Sequence, residues 1–299
     1  MGFTVGVDVG GTKASGVLVD AAGTVVARTR RPSASEDYSG LVDSIVATVQ
    51  DLQLEGAVEA VGLAVAGNVN EDRSRVVTSP NIPPLKDQPL RDELQARLGL
   101  PVVLENDANA AAWGEYRFGR WSHTSDVVVL TVGTGLGAGL VMDGELRRGA
   151  HGFAGEPGHV PVVPEGRPCP CGGRGCWEQY ASGTALLRYY RDAGGNPRSD
   201  GPVVTAAAQA GDVLALAAFD EVGRWLGFGL AGVVALLDPG LIVLGGGVAE
   251  AGELLLEPTR VGFARSMSWD TDRVHPALES AVLGNDAGAV GAAALAAAL

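Results

Sequence analysis

TVGVDVGGTKASGVLVDAAGTVVARTR, residues 4–30, decides how the rest of the chain is read. Its first part, TVGVDVGG, is a short apolar run ending in glycines, as a strand opening into a tight turn would be. GVLVD (16–20), AAG and TVVARTR (24–30) continue as strand, turn and strand, a hairpin built around Gly23. The outline returns at residues 126–146, DVVVLTVGTGLGAGLVMDGEL: apolar strand, glycine-rich turn, apolar strand. Two such openings predict two α/β domains, with the pattern restarting near residue 119. Ligands of open sheets of this kind bind beyond the carboxyl ends of the strands.

The intervening segments fit that plan. Leu41 to Leu54 carries apolar residues at helical spacing, and VEAVGLAVAG (58–67) reads as a strand ending before an Asn68–Asn70 loop. Pro80, Pro83 and Pro84 forbid regular structure over 80–84. PLRDELQARLG (89–99) is a helix stopped by Gly99. PVVLEND (101–107) is a strand opening directly into an alanine-rich helix. Beyond Gly183 helices dominate, among them 206–218 and 213–237, the latter ended by Pro239. LIVLGGG (241–247) is a buried-type strand, and an alanine-rich helix is expected over 287–299.

With 299 residues and 46% hydrophobic content, the chain can bury a large core. Its 44 glycines follow no collagen-like period. A net charge of -13, from 22 basic and 35 acidic residues, disfavours a nucleic-acid partner that needs a broad basic face. MGFTVGVDVGG has no basic n-region or cleavage site, and the most apolar stretch, Phe228 to Leu237, is about half a membrane span. Three cysteines cannot all pair within one chain. A cytoplasmic protein with reduced thiols and no membrane partner is the expectation.

Three glycine-rich turns sit at strand ends: DVGGTK (8–13), TVGTGLGAG (131–139) and LGGG (244–247). Glycine lets backbone N–H groups approach an anion closely, and Thr12 and Thr134 add hydroxyl donors. Asp8 would repel a bare phosphate unless Mg²⁺ or its water shell stood between them. Any one of these turns could equally be a plain hairpin; three together point to a ligand bearing a polyphosphate. No GxxxxGK[ST] is present, and the GxGxGxG at 133–139 leads into another strand, against a dinucleotide fingerprint.

Two further constellations carry chemistry. Asp107 lies where a strand gives way to a helix, with Asn106 beside it. By position alone it is either a helix cap or a general base facing a ligand. His159, Cys169, Cys171 and Cys176 form H-x9-C-x-C-x4-C, a closed imidazole and thiolate set suited to structural Zn²⁺. The alternative is three unrelated buried thiols and a satisfied histidine. Glu156 and Glu178 stand at the two edges of this stretch.

DVGGTK, ENDANAAAWGE, TVGTGLGAG, GEPGHV and CPCGGRGCWEQYASG occur in this order. Together they resemble the ROK family of sugar kinases and repressors, in the actin/hexokinase superfamily, and most of all its bacterial ATP-dependent glucokinases. The likeness covers essentially the whole chain. It implies two ribonuclease-H-like α/β domains with a ligand cleft between them, here 1–118 and 119–286, the helix at 287–299 packing back on the first. It implies phosphoryl transfer from MgATP to the 6-hydroxyl of glucose, with Asp107 as general base. Gly67, Asn81, Asn106, Asp107, Glu156, His159 and Glu178 would contact the sugar. Asp8, Gly10, Gly11, Thr12, Lys13, Gly133, Thr134, Gly135, Gly137, Gly245, Gly246 and Gly247 would line the nucleotide. His159, Cys169, Cys171 and Cys176 would hold zinc, pinning the loop that carries the sugar contacts. Pro157 departs from the bulky apolar residue more usual in the family at that place.

Alternatives within the same resemblance are a kinase for mannose, fructose or an N-acetylated amino sugar, polyphosphate as donor, or a non-catalytic sugar-binding regulator. Family repressors carry an added N-terminal helix-turn-helix, and with DVGGTK beginning at residue 8 none is expected here. A homodimer or homotetramer is expected from the family.

Overall fold

The structure is a computed structural model of the chain that describes residues 2–34, 36–121, 124–270 and 272–299. Contacts divide it into two compact units. The first takes Met1–Ser125, Gly139–Gly155 and Asn285–Leu299; the second takes Asp126–Ala138 and Glu156–Gly284.

The first unit opens with β1 (Phe3–Val9), β2 (Lys13–Val19) and β3 (Val25–Pro32), successive antiparallel strands. Gly10 N donates to Lys13 O (2.9 Å) to close the first turn. At the second, Gly23 has φ +83°, and Asp20 Oδ1 accepts from the N–H groups of Ala22 and Thr24. After α1 (Tyr38–Gln53) come β4 (Val58–Val65), a small hairpin of β5 (Asn68–Val69) and β6 (Val76–Thr78), α2 (Leu90–Leu98), β7 (Val102–Asn106) and α3 (Asp107–Phe118). The sheet order is β3-β2-β1-β4-β7, with β4 parallel to both β1 and β7.

β1, β4 and β7 read as near-continuous apolar runs because both faces of the sheet are covered. Leu41, Ile45, Val49 and Leu52 of α1 pack into the core with Val5, Val7, Leu63 and Leu104. α1 is started by Asp37, which accepts from Gly40 N (2.8 Å), and α2 stops at Gly99 in the left-handed region (φ +67°), as its sequence requires.

β8 (Val127–Val132), β9 (Leu136–Met142) and β10 (Glu145–Leu146) begin the second sheet. Next come α4 (Gly183–Asp192), α5 (Gly201–Gln209), α6 (Val213–Leu237), β11 (Leu241–Gly245), α7 (Glu253–Ser266) and β12 (Ala277–Ser280). The order β10-β9-β8-β11-β12 repeats the plan of the first sheet, with β11 parallel to β8 and β12. The last helix, α8 (Ala287–Ala296), belongs to the first unit and packs on β1, β4 and α3.

A helix running unbroken over 206–218 is not found. α5 ends at Gln209, Gly211 takes φ +87°, and Asp212 caps α6 by accepting from Leu214 N and Ala215 N (2.9 Å each). The axes of the two helices turn by 110°. The apolar pattern ran through the break because both helices bury one face; the Gly-Asp pair was the overlooked stop and start signal. Among the described residues no single helix is long and apolar enough to cross a membrane.

Candidate functional site

In the first unit the strand-to-helix junction β7–α3 brings together three of the expected sugar contacts, Gly67, Asn106 and Asp107. Asn106 is extended (φ -62°, ψ 145°), and its Oδ1 accepts from Asn109 N (3.0 Å). Asn106, and not Asp107, is therefore the cap of α3. The Asp107 carboxylate accepts through Oδ1 from Ala108 N (2.9 Å) and from Asn106 Nδ2 (3.1 Å). The same Asn106 Nδ2 donates to Gly67 O (3.1 Å), which joins the end of β4 to the junction. Gly67 must be glycine there, since a Cβ would collide with Thr78 O.

The loop SPNIP (79–83), which carries Asn81, closes on the first glycine turn. A Cβ on Gly11 would lie 2.9 Å from Asn81 O, so only glycine lets the two segments meet this closely. Ser79 Oγ donates to Ala66 O (2.6 Å), fixing that loop beside Gly67. Thr12 and Lys13 are exposed on the turn, with Gly10 and Gly11 half-buried behind them. Burial pushes the Asp8 carboxyl above its usual range, and the Lys13 ammonium offsets part of this. A desolvated carboxylate with only partial compensation is a group that a cation, or water held by one, would satisfy.

Glu105 and Arg148 were not singled out from the sequence. Glu105 is 2% exposed and forms an ion pair with Arg148 Nε (2.5 Å) directly behind Asn106. An acidic residue closing the apolar run VVL was a readable sign of a buried charge with a task. Nothing local to Arg148, 43 positions further on, marked it as the partner.

In the second unit the cysteine loop forms one compact cluster. Pro157 is the first residue of a 3-10 turn, Pro157–His159, where its fixed φ is favourable and no N–H is needed. Gly158 presses against Leu136 O, seating that turn on the start of β9. Gly172 (φ +91°) and Gly175 (φ +75°) bend the loop, which is closed by Cys169 N donating to Gly173 O (2.9 Å) and Gly175 N to Arg167 O (2.7 Å). Trp177 is buried, donates through Nε1 to Trp225 O (2.7 Å), and anchors the loop to α6.

One ligand atom from each of His159, Cys169, Cys171 and Cys176 lies within 4.8 Å of all the others. Cys171 Sγ and Cys176 Sγ are 3.7 Å apart, and Cys169 Sγ is 3.8 Å from His159 Nδ1. Tetrahedral zinc with bonds of about 2.0–2.3 Å needs ligand separations of about 3.5–3.8 Å, so the residues present fit the metal. Burial raises the Cys169 and Cys176 thiols, whereas the Gly173 N–H lowers that of Cys171 (N to Sγ 3.4 Å).

The two acids lie beside this cluster. His159 Nδ1 faces Cys169, and its Nε2 is 3.9 Å from Glu156 Oε2. Glu178 Oε1 accepts from Cys169 Sγ (3.0 Å) and is 3.8 Å from His159 Nδ1. Burial first, and then the neighbouring Glu178, raises the Glu156 carboxyl, while His159 lowers it. A Cβ on Gly135 would lie 2.6 Å from Glu178 Oε2, so the bare backbone of the β8–β9 turn makes room for that carboxylate.

The same turn borders a pocket of about 720 Å³. Gly183 N donates to Gly133 O (2.7 Å) and Thr184 Oγ1 to Thr134 O (2.7 Å), placing the start of α4 on the turn. Gly133, Thr134, Gly183, Thr184, Thr205, Gln209, Gly247 and Glu250 line the pocket. Of the other expected nucleotide residues, Gly245 ends β11, Gly246 (φ +85°) is pressed against the Val132 backbone, and Gly137 lies within β9. Thr184, Thr205, Gln209 and Glu250 went unnoticed in the sequence, because α4, α5 and the 3-10 turn Ala249–Ala251 bring them to the pocket from separate segments. Only Ser182-Gly183, a helix-start signal, hinted at a ligand-facing helix end.

The profile of the ROK family matches residues 4–298. A glucokinase of Streptomyces coelicolor is 41% identical, with 99% of this chain and 98% of that protein aligned. The crystal structure of a ROK family glucokinase from Streptomyces griseus, in complex with glucose and AMPPNP, is similar at a TM-score of 0.92 and 43% identity over 100% of both chains. The xylose repressor of Bacillus subtilis is 31% identical over 87% of this chain and 68% of its own length.

Proposed function

The chain belongs to the ROK family, and on that premise we propose that it is an ATP-dependent glucokinase, transferring the terminal phosphoryl group of MgATP to the 6-hydroxyl of glucose. The observation that carries the reading is the likeness, over the whole of both chains, to a glucokinase solved with glucose and an ATP analogue.

Asp107 acts as general base. Two donors hold Oδ1, and α3 is capped by its neighbour, so the carboxylate is oriented without being consumed in capping. It takes the proton of the attacking hydroxyl as the new P–O bond forms, a role that needs position more than a raised pKa. Asn106, Asn81 and the Gly67 strand end, with Glu156, His159 Nε2 and Glu178, pair with the sugar hydroxyls. The 8–13 and 133–135 turns present backbone N–H groups to the phosphates, and the pocket bordered by Gly247 takes the nucleoside. Asp8 would help to hold Mg²⁺, which would neutralise phosphate charge when bound. His159 Nδ1 and the three Sγ atoms would hold zinc as a structural metal, whose chemistry would be to stiffen the loop rather than to take part in the transfer.

A hexose panel crossed with ATP and polyphosphate, using wild-type protein and Asp107→Asn, tests this. We expect glucose with ATP to be turned over best and kcat to fall about 10²–10⁴-fold in the variant, which keeps its helix cap. A faster rate on another hexose would change the substrate and keep the mechanism. Glucose binding without turnover on any pair would favour a sugar-binding regulator, the reading that the repressor relative supports.

A further inference from the structure

We propose that Glu105 and Arg148 are positioning residues for the Asp107 base, a role that rests on the kinase reading above. Glu105 follows Val102, Val103 and Leu104 in β7, and all four are buried. The sheet itself would be served at least as well by a fourth apolar residue. A buried carboxylate costs free energy unless it is paired and fully hydrogen-bonded, so its presence asks for another use.

The use is visible in how its two oxygens are divided. Oε2 accepts from Arg148 Nε (2.5 Å). Oε1 accepts from Asn106 N (3.1 Å) and from Asn109 Nδ2 (3.1 Å), residues on either side of Asp107 in the chain. Asn106 then passes the constraint on, donating from Nδ2 to Asp107 Oδ1 and to Gly67 O and accepting from Asn109 N. One carboxylate thus fixes both shoulders of the junction that aims the base. With both oxygens engaged and 2% exposure, Glu105 does not touch substrate itself and acts through Asn106 and Asp107.

Arg148 is held by its own short loop. Ala154 N donates to Arg148 O (2.9 Å), Gly149 takes φ +76°, and Gly152 seats against the Val69 and Asn70 backbone. Arg73, in the turn between β5 and β6, adds a second positive charge toward Glu105. Removing Arg148 therefore does not strip Glu105 of all counter-charge, and the Arg148→Met variant is suited to the test.

Steady-state glucose phosphorylation would be measured for wild type, Arg148→Met, Arg148→Lys, Asp107→Asn and the Asp107→Asn/Arg148→Met double variant. Hydrogen exchange of the 105–109 segment would be followed in the same samples. We expect Arg148→Met to lower kcat on the order of 10²-fold with KM for MgATP unchanged, and Arg148→Lys to recover part of the loss. The double variant should be no slower than Asp107→Asn alone, because a residue acting through the base has nothing left to position. Exchange should rise at 105–109 more than in β1 and β4. Wild-type kcat in Arg148→Met, or a double variant slower by the full Arg148→Met factor, overturns the proposal. If Arg148→Met does not fold, Arg148→Lys carries the same comparison. Wild-type protein inactive on every hexose overturns the kinase reading instead; unchanged exchange at 105–109 would then overturn the role of the pair.

Discussion

Asp8 sits at the end of β1 with its charge opposed by burial, and that conflict has a measurable consequence. Its folded pKa lies above the ordinary 3.8, so the folded chain holds this proton more tightly than the unfolded one. The ionised carboxylate therefore subtracts from stability, and the loss develops as pH rises from 3.8 through the raised value and persists above it. Asp8→Asn should raise the thermal midpoint of the ligand-free protein at pH 8, with a smaller gain near pH 4.5, while KM for MgATP increases. Equal midpoints at both pH values would show that the site imposes no such cost. By position alone Asp107 reads as cap or base, because both roles use the same residue type at the same place, and only the family resemblance implies the base. Asn106 decided the capping question by taking that hydrogen bond itself.

At the scale of elements, α8 shows why a chain would end in alanine and glycine. A Cβ on Gly291 would collide with Ala110 O and lie 2.8 Å from Gly114 N, both backbone atoms of α3. Gly6 and Gly62 accept the α8 backbone against β1 and β4 in the same way. Gly291→Ala gains at most about 1 kcal/mol of helix propensity. Forcing the backbones apart costs about 1–3 kcal/mol, so the variant should be less stable in urea. Gly232→Ala in α6, where a Cβ meets nothing within 4 Å, should be stabilised by up to about 1 kcal/mol. If both variants shift the same way, close packing of α8 is not what selects glycine. The cysteine loop is an element of another kind, in which His159 and three cysteines gather within 4.8 Å of one another in a set that fits a metal. Chelating zinc should lower the thermal midpoint and raise the glucose KM on the order of tenfold, with kcat less affected. An unchanged KM in protein shown to be metal-free would separate the loop from the sugar.

For the whole molecule, the charge of -13 is a statement about partners. Non-specific DNA binding depends on releasing counterions with clustered Lys and Arg, and 22 basic against 35 acidic residues argue against it. A labelled duplex should show no anisotropy change up to roughly 10 µM protein at low salt. Binding in that range would revive a regulatory role. Strand openings, turn glycines, the grouping of His159 with the three cysteines and the strand-to-helix placement of Asp107 were determined by the sequence alone, because each depends on local periodicity, φ or short spacing. Tertiary structure alone decided the pairing of Glu105 with Arg148, the seating of Gly183 and Thr184 on the β8–β9 turn, and the close approach of α8 to α3. Those contacts join segments tens or hundreds of residues apart, and their specificity lies in backbone distances and buried charge that no local pattern encodes.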